Sequence, residues 1–194
     1  MDAFRADKAV KLVMLGDSSV GKTSIVMQFY RNVFHEECES TVGGNYITKT
    51  ITTQNGPVTL NVWDTAGQER FRGIVPMYTR GSQAAIIVFS LQDESSFQSV
   101  EQWIDLIQKT ESYRCKIYIA ANKIDLGQTH LLNEAKTWAS KNKLPLFTTS
   151  AKDQASVINL FQNIAQDIGD LSGTFQKTTS LIPPSKNDKK PNCC

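Results

Sequence analysis

The stretch Gly16-Asp17-Ser18-Ser19-Val20-Gly21-Lys22-Thr23 decides the fold of this chain. It matches GxxxxGK[ST], in which glycines let backbone N–H groups turn towards phosphate oxygens, the lysine supplies positive charge and the last hydroxyl can hold Mg²⁺. An apolar run at 10–15 before it is typical of a buried strand, and residues 23–30 after it have helical spacing. Strand, loop and helix together predict a nucleotide-phosphate site at residues 16–23, the phosphate loop, with the positive helix end facing the phosphates.

The charge of the 194-residue chain is unevenly distributed. Four lysines and one aspartate give the segment from Leu171 onward a charge of +3, which leaves −1 of the total of +2 for the first 170 residues. A near-neutral body argues against nucleic-acid binding, which needs a basic face. Four cysteines without metal-ligand spacing or a disulfide framework indicate a reducing compartment, and the first ten residues lack an apolar leader core. We expect one cytosolic domain at 8–170 and a flexible tail at 171–194.

Strand-like apolar runs alternate with helical patterns, which predicts a P-loop NTPase fold of the three-layer α/β/α class. We predict a six-stranded, mostly parallel sheet with strands at 10–15, 46–53, 58–64, 84–90, 116–121 and 144–150. We predict about five helices, at 22–31, 94–111, 131–142 and 154–169, with room for a helical turn inside a loop at 65–81. The Asn55-Gly56 pair predicts a hairpin that makes 46–53 an antiparallel edge strand.

The motif Asn122-Lys123-Ile124-Asp125 follows the strand at 116–121 and predicts which base is bound. The Asp125 carboxylate can accept two parallel hydrogen bonds from the N1–H and 2-amino groups of guanine. Adenine lacks this donor pair and would leave a buried carboxylate unpaired, at a cost of ~1–3 kcal/mol. Asn122 can brace the purine and the loop, and Lys123 can lie over the ring plane. These features predict a site for guanine.

Two further stretches complete the predicted site. After the last strand, a backbone N–H of Ser150-Ala151-Lys152 can meet guanine O6, and Lys152 can cover the base. At the end of the strand 58–64, Asp64-Thr65-Ala66-Gly67-Gln68 faces the phosphates. Asp64 can reach the Mg²⁺ shell through water, and the Gly67 N–H can bond the γ-phosphate while that phosphate exists. Gln68 can orient an attacking water, because a carboxamide both donates and accepts.

The segments GDSSVGKT, WDTAGQE, NKID and SAK, in this order and spacing, resemble the Ras superfamily of small GTPases and, more narrowly, the Rab family. The resemblance covers about residues 8–170. Three stretches, FHEECESTVG (34–43), ERFRGIVPMYTRG (69–81) and SQAAIIVFS (82–90), are similar to the early-endosomal Rab branch. This resemblance implies a GTP/GDP switch in endocytic vesicle trafficking that hydrolyses GTP with Mg²⁺ by in-line attack of a water oriented by Gln68.

The resemblance also implies roles for individual residues. Phe34 stacks on the guanine, and Thr41 binds Mg²⁺ and the γ-phosphate in the GTP state. The implied metal ligands are Thr23, Thr41 and Asp64. Effectors are expected to face Tyr46, Trp63 and Tyr78. The full expected set of nucleotide contacts is Ser18, Ser19, Val20, Gly21, Lys22, Thr23, Ser24, Phe34, His35, Glu36, Thr41, Gly67, Asn122, Lys123, Asp125, Ser150, Ala151 and Lys152.

Partners are implied by the same resemblance. We expect a monomer that hydrolyses GTP slowly alone, because no arginine in the sequence can be assigned as an internal finger. An activating protein, an exchange factor, a GDP-dissociation inhibitor, an escort protein and effectors would then set its state. The terminal Cys193-Cys194 resembles the doubly geranylgeranylated end of Rabs, and two such chains give stable anchoring. This places the protein on the cytoplasmic face of endosomal membranes, cycling with the cytosol.

Three alternatives remain open from the sequence. One is a GTP-binding scaffold that does not hydrolyse its nucleotide, which Gln68 and Thr41 argue against. A second is a Rab of another, secretory compartment, because the assignment to endosomes depends on loop sequences alone. The third is a P-loop kinase or ATPase, which the guanine-reading Asp125 opposes.

Overall fold

The structure, a computed structural model, describes residues 8–36, 41, 44–67, 73, 75–111, 115–127 and 129–171. The strands are β1 Lys8–Leu15, β2 Gly44–Thr53, β3 Gly56–Thr65, β4 Ala84–Ser90, β5 Lys116–Asn122 and β6 Leu146–Thr148. The α-helices are α1 Lys22–Arg31, α2 Val75–Thr79, α3 Glu94–Gln98, α4 Val100–Glu111, α5 Thr129–Lys141 and α6 Gln154–Leu171, with a 3₁₀ helix at Ile124–Leu126.

The strands form one sheet in the order β2-β3-β1-β4-β5-β6. All neighbouring pairs are parallel except β2 and β3, which form the predicted antiparallel pair at the edge. The predicted three-layer α/β fold is therefore confirmed. β1 lies between β3 and β4, and the chain crosses over β1 as it passes from β3 to β4, so the strand order reverses at β1. Ligands of open α/β sheets bind beyond the carboxyl ends of the strands at such a point, where the phosphate loop lies.

Both faces of the sheet are buried, because successive side chains of each strand point to opposite faces. In β1, Leu12 and Met14 join the core under α1 and α6, whereas Val13 and Leu15 join the core under α4 and α5. This explains why the parallel strands read as continuous apolar runs. Burial on both sides fixes the strand ends, and with them the loops that form the site.

Two predicted elements differ from the structure. The single helix expected at 94–111 was wrong, because the chain divides into α3 and α4 at Ser99. The Ser99 hydroxyl donates to the Ser95 carbonyl at 3.1 Å, beside the Ser99 N–H, which donates to the same carbonyl at 3.0 Å. The strand expected at 144–150 is shorter, because the Leu144 N–H ends α5 by donating to the Ala139 carbonyl and Pro145 has no N–H to donate.

The bounds of the other strands and helices differ from the predicted bounds by a few residues only. The hairpin pairs Thr53 with Gly56 across a two-residue turn, and Gly56 has a φ of +111°, which glycine adopts without strain. No helix within the described residues has both the length and the apolar character needed to cross a membrane. Gln68 and the pair Cys193-Cys194 lie outside the described residues, as does the tail from 172 onward.

Candidate functional site

A cavity of about 430 Å³ brings together segments that are far apart in the sequence. All the predicted nucleotide contacts except Val20 line it. Val20 differs because its side chain is buried in the core under α1 and α6. Leu126 lines the cavity but was not predicted. The lining residues are Ser18, Ser19, Gly21, Lys22, Thr23, Ser24, Phe34, His35, Glu36, Thr41, Gly67, Asn122, Lys123, Asp125, Leu126, Ser150, Ala151 and Lys152.

The phosphate loop holds its lysine with its own backbone. Lys22 Nζ donates to the Gly16 carbonyl at 2.9 Å and to the Asp17 carbonyl at 2.7 Å. A Cβ on Gly16 would lie 2.1 Å from the Val88 carbonyl oxygen of β4, so only glycine lets the loop turn so close to the sheet. Burial lowers the pKa of Lys22 to about 8, although the charges of Asp64 and Asp17 act in the opposite direction. The amine is thus poised beside a space where anionic oxygens would stabilise its charged form.

Three oxygen-bearing side chains meet at the start of α1. The Thr23 hydroxyl donates to Asp64 Oδ2 at 2.7 Å and lies 2.7 Å from the Thr41 hydroxyl. Asp64 is 1% exposed, and within the described residues its Oδ1 has no hydrogen-bond partner. Burial raises the pKa of Asp64, against the opposing effects of Thr23 and Lys22. A buried orphan carboxylate oxygen beside two hydroxyls fits a hard cation such as Mg²⁺ with its bound water.

Gly67 lies against the phosphate loop. A Cβ at this position would be 2.3 Å from Lys22 Nζ and 2.4 Å from the Asp17 carbonyl oxygen. No larger residue could keep the backbone at this distance without moving one of them. The Gly67 backbone is therefore next to Lys22, and its contact with a γ-phosphate stays a prediction. The role of Gln68, one residue further on, stays a prediction.

Asn122 joins the base side of the cavity to the phosphate loop. Its amide Nδ2 donates to the Val20 carbonyl at 2.8 Å, and its Oδ1 accepts from the Thr149 hydroxyl at 3.2 Å. The side chain is 1% exposed. A Cβ on Gly21 would lie 2.4 Å from Asn122 Nδ2, so the second glycine of the loop makes room for this brace.

The segment after Asn122 turns sharply into the cavity. Lys123 adopts a left-handed conformation with a φ of +66°, and the 3₁₀ helix that follows carries Asp125 and Leu126. Leu126 is 55% exposed. An apolar residue directly after the base-reading motif could have been noticed in the sequence, since a purine needs an apolar surface beside its polar edge.

The Ser150 turn is built by the pattern S-x-x-D-x-x-S over 150–156, here called the edge turn. The Ser150 hydroxyl accepts the Lys152 N–H at 3.1 Å, and the Ser156 hydroxyl accepts the Ser150 N–H at 3.1 Å. The Asp153 N–H closes the turn on the Ser150 carbonyl at 2.9 Å. These bonds fix the backbone around Ala151.

The same pattern recurs at 90–96, after β4, here called the inner turn. Its hydrogen bonds repeat those of the edge turn at the corresponding positions, with distances of 3.0–3.1 Å. In the inner turn, the Leu91 N–H donates to the Asn122 carbonyl of β5 at 2.9 Å. The corresponding Ala151 N–H meets no acceptor among the described residues, because β6 is the last strand of the sheet. Ala151 lines the cavity, so its N–H is a candidate donor to guanine O6.

Phe34, Glu36 and Lys152 form the rim of the cavity. Lys152 Nζ lies 5.3 Å from the Phe34 ring centroid and 3.4 Å from Glu36 Oε1. Both charged side chains are largely exposed, so the ion pair itself contributes little. The ring and the lysine stem together supply an apolar wall on the base side.

The predicted effector residues Tyr46, Trp63 and Tyr78 form an aromatic cluster. The Tyr46 and Trp63 centroids are 5.0 Å apart, and those of Trp63 and Tyr78 are 5.8 Å apart. Gly44 allows this arrangement, because a Cβ there would lie 2.8 Å from Tyr78 Cε1. Tyr46 is 53% exposed and the neighbouring Met77 is 77% exposed. The cluster thus presents apolar surface to the outside.

A family model described as Ras family matches residues 11–170 of the chain. The matched range extends from β1 into α6 and includes every residue that lines the cavity.

Proposed function

Because the chain belongs to the Ras family and is a small GTPase, we propose that the γ-phosphate of GTP holds two loops of the chain, one that contains Thr41 and one that contains Gly67. Hydrolysis of GTP would release both loops. The observation that carries this proposal is the meeting of Thr41 and Gly67 with the phosphate loop. The Thr41 hydroxyl is 2.7 Å from that of Thr23, and Gly67 lies against Lys22. Both residues belong to loops that join regular elements, so losing the γ-phosphate would remove their shared anchor.

The base side supports GTP as the substrate. Asp125 lines the cavity as a carboxylate acceptor, and the open Ala151 N–H supplies a donor. This pairing matches the donor edge and the O6 acceptor of guanine, whereas adenine presents an amino group where O6 would be. Discrimination of this kind is strong because a mismatched base leaves polar groups unpaired.

We propose that Gln68 orients the attacking water, as its carboxamide both donates and accepts. Lys22 would neutralise charge on the phosphate oxygens, and the Gly67 N–H would donate to the γ-phosphate. Thr23, Thr41 and Asp64 would hold Mg²⁺, which when bound neutralises charge on the β- and γ-phosphates. Hydrolysis by the chain alone would be slow, and an activating protein would supply the missing positive charge.

The direct test identifies the nucleotide that co-purifies with the chain and then follows its hydrolysis with Mg²⁺. We expect GDP or GTP, and slow single-turnover release of phosphate from GTP. The variant Gln68→Leu should bind GTP with nearly unchanged affinity and hydrolyse it at least tenfold more slowly, an effect of about 1.4 kcal/mol or more. Equal rates would remove Gln68 from the mechanism. Tight GTP binding without any turnover would favour the alternative of a non-hydrolysing scaffold.

We further propose a Rab-type role in vesicle trafficking at endocytic membranes. Two observations support it: the exposed aromatic cluster beside the loops, and the similarity of three stretches to the early-endosomal Rab branch. The lysine-bearing tail with Cys193 and Cys194 supports prenyl anchoring, with lysines adding attraction to anionic lipid. An exchange factor, a GDP-dissociation inhibitor, an escort protein and effectors are the partners that such a cycle requires.

Localisation tests this part of the proposal. The tagged full chain should co-localise with endosomal markers, and Cys193→Ser with Cys194→Ser should move it to the cytosol. A double variant that stays membrane-bound would refute the anchor. Co-localisation of the parent with secretory markers would favour the alternative of a secretory Rab and leave the GTPase chemistry untouched.

A further inference from the structure

The phosphate loop contains a carboxylate, that of Asp17, which would repel an anionic ligand if it pointed into the cavity. Asp17 follows Gly16 directly, and its backbone carbonyl accepts from Lys22 Nζ at 2.7 Å. Its side chain is absent from the residues that line the cavity. A carboxylate that rotated into the cavity would repel the phosphates, and in a low-dielectric site such repulsion is strong.

A buried tryptophan holds this carboxylate. The indole N–H of Trp103, on α4, donates to Asp17 Oδ1 at 2.9 Å. Trp103 is 2% exposed and packs in the core under α4 and α5. Its helical spacing predicts a core residue, which it is, but the position of its N–H also directs the Asp17 side chain towards α4. A hydrogen bond from a fixed donor to a carboxylate is among the stronger ones in proteins.

The peptide of Asp17 is in contact with two parts of the switch. Its carbonyl oxygen binds Lys22 Nζ, and a Cβ on Gly67 would come within 2.4 Å of the same oxygen. A displacement of Asp17 would therefore move the lysine and disturb the surface on which Gly67 rests. The indole is well placed to prevent such a displacement, because packing on α4 fixes its ring.

We propose that Trp103 is a positioning residue for the phosphate site: it keeps the Asp17 carboxylate turned away from the phosphates and the Asp17 carbonyl in place for Lys22. The proposal rests on GTP binding in the cavity, so it is tested in a parent protein whose GTP binding has been measured first. A parent without GTP binding would overturn the proposed function, whereas the outcomes below concern Trp103 alone.

The test compares Trp103→Phe with Trp138→Phe in the full chain. Trp138 is a matched control, because its indole N–H also donates to a carboxylate, Glu101 Oε1 at 3.0 Å, but away from the cavity. We expect Trp103→Phe to weaken GTP binding about tenfold, or about 1.4 kcal/mol. GDP binding should weaken less, because GDP carries less negative charge. Trp138→Phe should leave both affinities within about twofold.

A second substitution separates positioning from packing. Asp17→Asn removes the charge, so combining it with Trp103→Phe should recover most of the GTP affinity that Trp103→Phe loses, and the loss that persists, from a displaced carbonyl at 17, should be equal for GTP and GDP. A purely structural tryptophan would give the same loss with either residue at 17 and equal losses for GTP and GDP, which would overturn the proposal. If Trp103→Phe does not fold, Asp17→Asn alone decides: unchanged or tighter GTP binding supports the proposal, and a tenfold loss contradicts it.

Discussion

The base side and the phosphate side of the cavity are held in different ways. On the base side, Asn122 is buried with both ends of its amide bonded, and the edge turn fixes Ala151 by hydrogen bonds of its own. On the phosphate side, Lys22 has a pKa lowered to about 8 by burial, and Asp64 is buried with an oxygen that lacks a partner among the described residues. On the base side the protein itself bonds the buried Asn122 amide and leaves the Ala151 N–H for the base, whereas on the phosphate side the buried groups, Lys22 and Asp64, are charged.

This difference suggests why one cavity can select a base and also sense a phosphate. Pre-formed hydrogen bonds make the base side rigid, so selectivity does not depend on the state of the switch. Buried charges without full compensation make the phosphate side sensitive to the ligand, because their cost is relieved only when anions and a cation are bound. Substitutions on the two sides should therefore differ in kind as well as in size.

The largest effect is expected from Lys22→Ala. Removing the cation leaves phosphate charge uncompensated in a buried site, so we expect GTP and GDP binding to weaken by about 3–5 kcal/mol. The control is Lys152→Ala, which removes an exposed cation beside Phe34 on the base side and should cost about 0.5–1 kcal/mol. Affinities measured by competition with a fluorescent nucleotide would show this contrast. Similar losses in the two variants would contradict it.

Asp125→Asn should change which base is bound. The asparagine NH₂ group can donate to the C2 carbonyl of xanthine but cannot accept both guanine donors. We expect GTP affinity to fall by about 2–3 kcal/mol and xanthosine triphosphate to bind better than it does to the parent. Hydrolysis of the bound triphosphate should continue, because the phosphate side is unaltered. Unchanged GTP affinity would remove Asp125 from base recognition.

Asn122→Ala tests the brace between the two sides. The Val20 carbonyl and the Thr149 hydroxyl would lose a buried partner, so the free energy of unfolding should fall by about 1–3 kcal/mol. Asn142→Ala is the matched control, because the Asn142 amide also donates to a backbone carbonyl, that of Trp138 at 2.9 Å, on an exposed surface. We expect that variant to change stability by no more than about 0.5 kcal/mol. Equal losses of stability in the two variants, measured by thermal unfolding, would show that the buried bonds of Asn122 contribute no more than the exposed bond of Asn142.

The smallest effect should come from Asp167, which supports β5 far from the cavity. Burial acts to raise the pKa of Asp167, but the hydrogen bonds from Lys116 and Tyr118 outweigh it and lower the pKa. Its stabilisation is therefore present above the unfolded value near pH 4 and is lost as the pH falls through the lower folded value. Because the side chain is 42% exposed, we expect less than about 1 kcal/mol.

The measurement for Asp167 is urea unfolding of the parent and Asp167→Asn at pH 7, 5 and 3. The free energy of unfolding of the parent should exceed that of Asp167→Asn at pH 7 and 5, and this difference should become smaller at pH 3. Base selectivity should be the same in both proteins, because the substitution leaves the carboxyl end of β5 in place. A difference in the free energy of unfolding that stays constant with pH would show that the charge of the Asp167 carboxylate does not contribute to stability.

Much of the fold and the makeup of the cavity could be predicted because local patterns carry them. The phosphate loop is a short motif with its own strand and helix, and the strands on both sides of it are continuous apolar runs. Motifs such as 122–125 and 150–152 follow strands directly, so parallel pairing alone brings them to one edge of the sheet. The structure indeed places both at the cavity.

Other features depend on geometry that periodicity does not carry. The hydrogen bond from Trp103 to Asp17 joins residues 86 positions apart in the sequence. The helical spacing of apolar residues predicts only that Trp103 is buried. The helix divides at a single residue, Ser99, whose hydroxyl and N–H share the Ser95 carbonyl, and the spacing of apolar residues does not show this division. The repeated S-x-x-D-x-x-S turn was visible in the sequence, but only the sheet order explains why one copy has an amide left for a ligand.

Hydrogen exchange in the two nucleotide states tests the contrast between the two sides most directly. The parent would be loaded with Mg²⁺ and either GDP or a non-hydrolysable GTP analogue, and amide exchange followed by mass spectrometry. We expect slower exchange with the GTP analogue in peptides that cover 33–45 and 65–81, and unchanged exchange in peptides that cover 117–126 and 146–156. Equal protection of the two loops in both states, or a change confined to the base side, would contradict a switch held by the γ-phosphate.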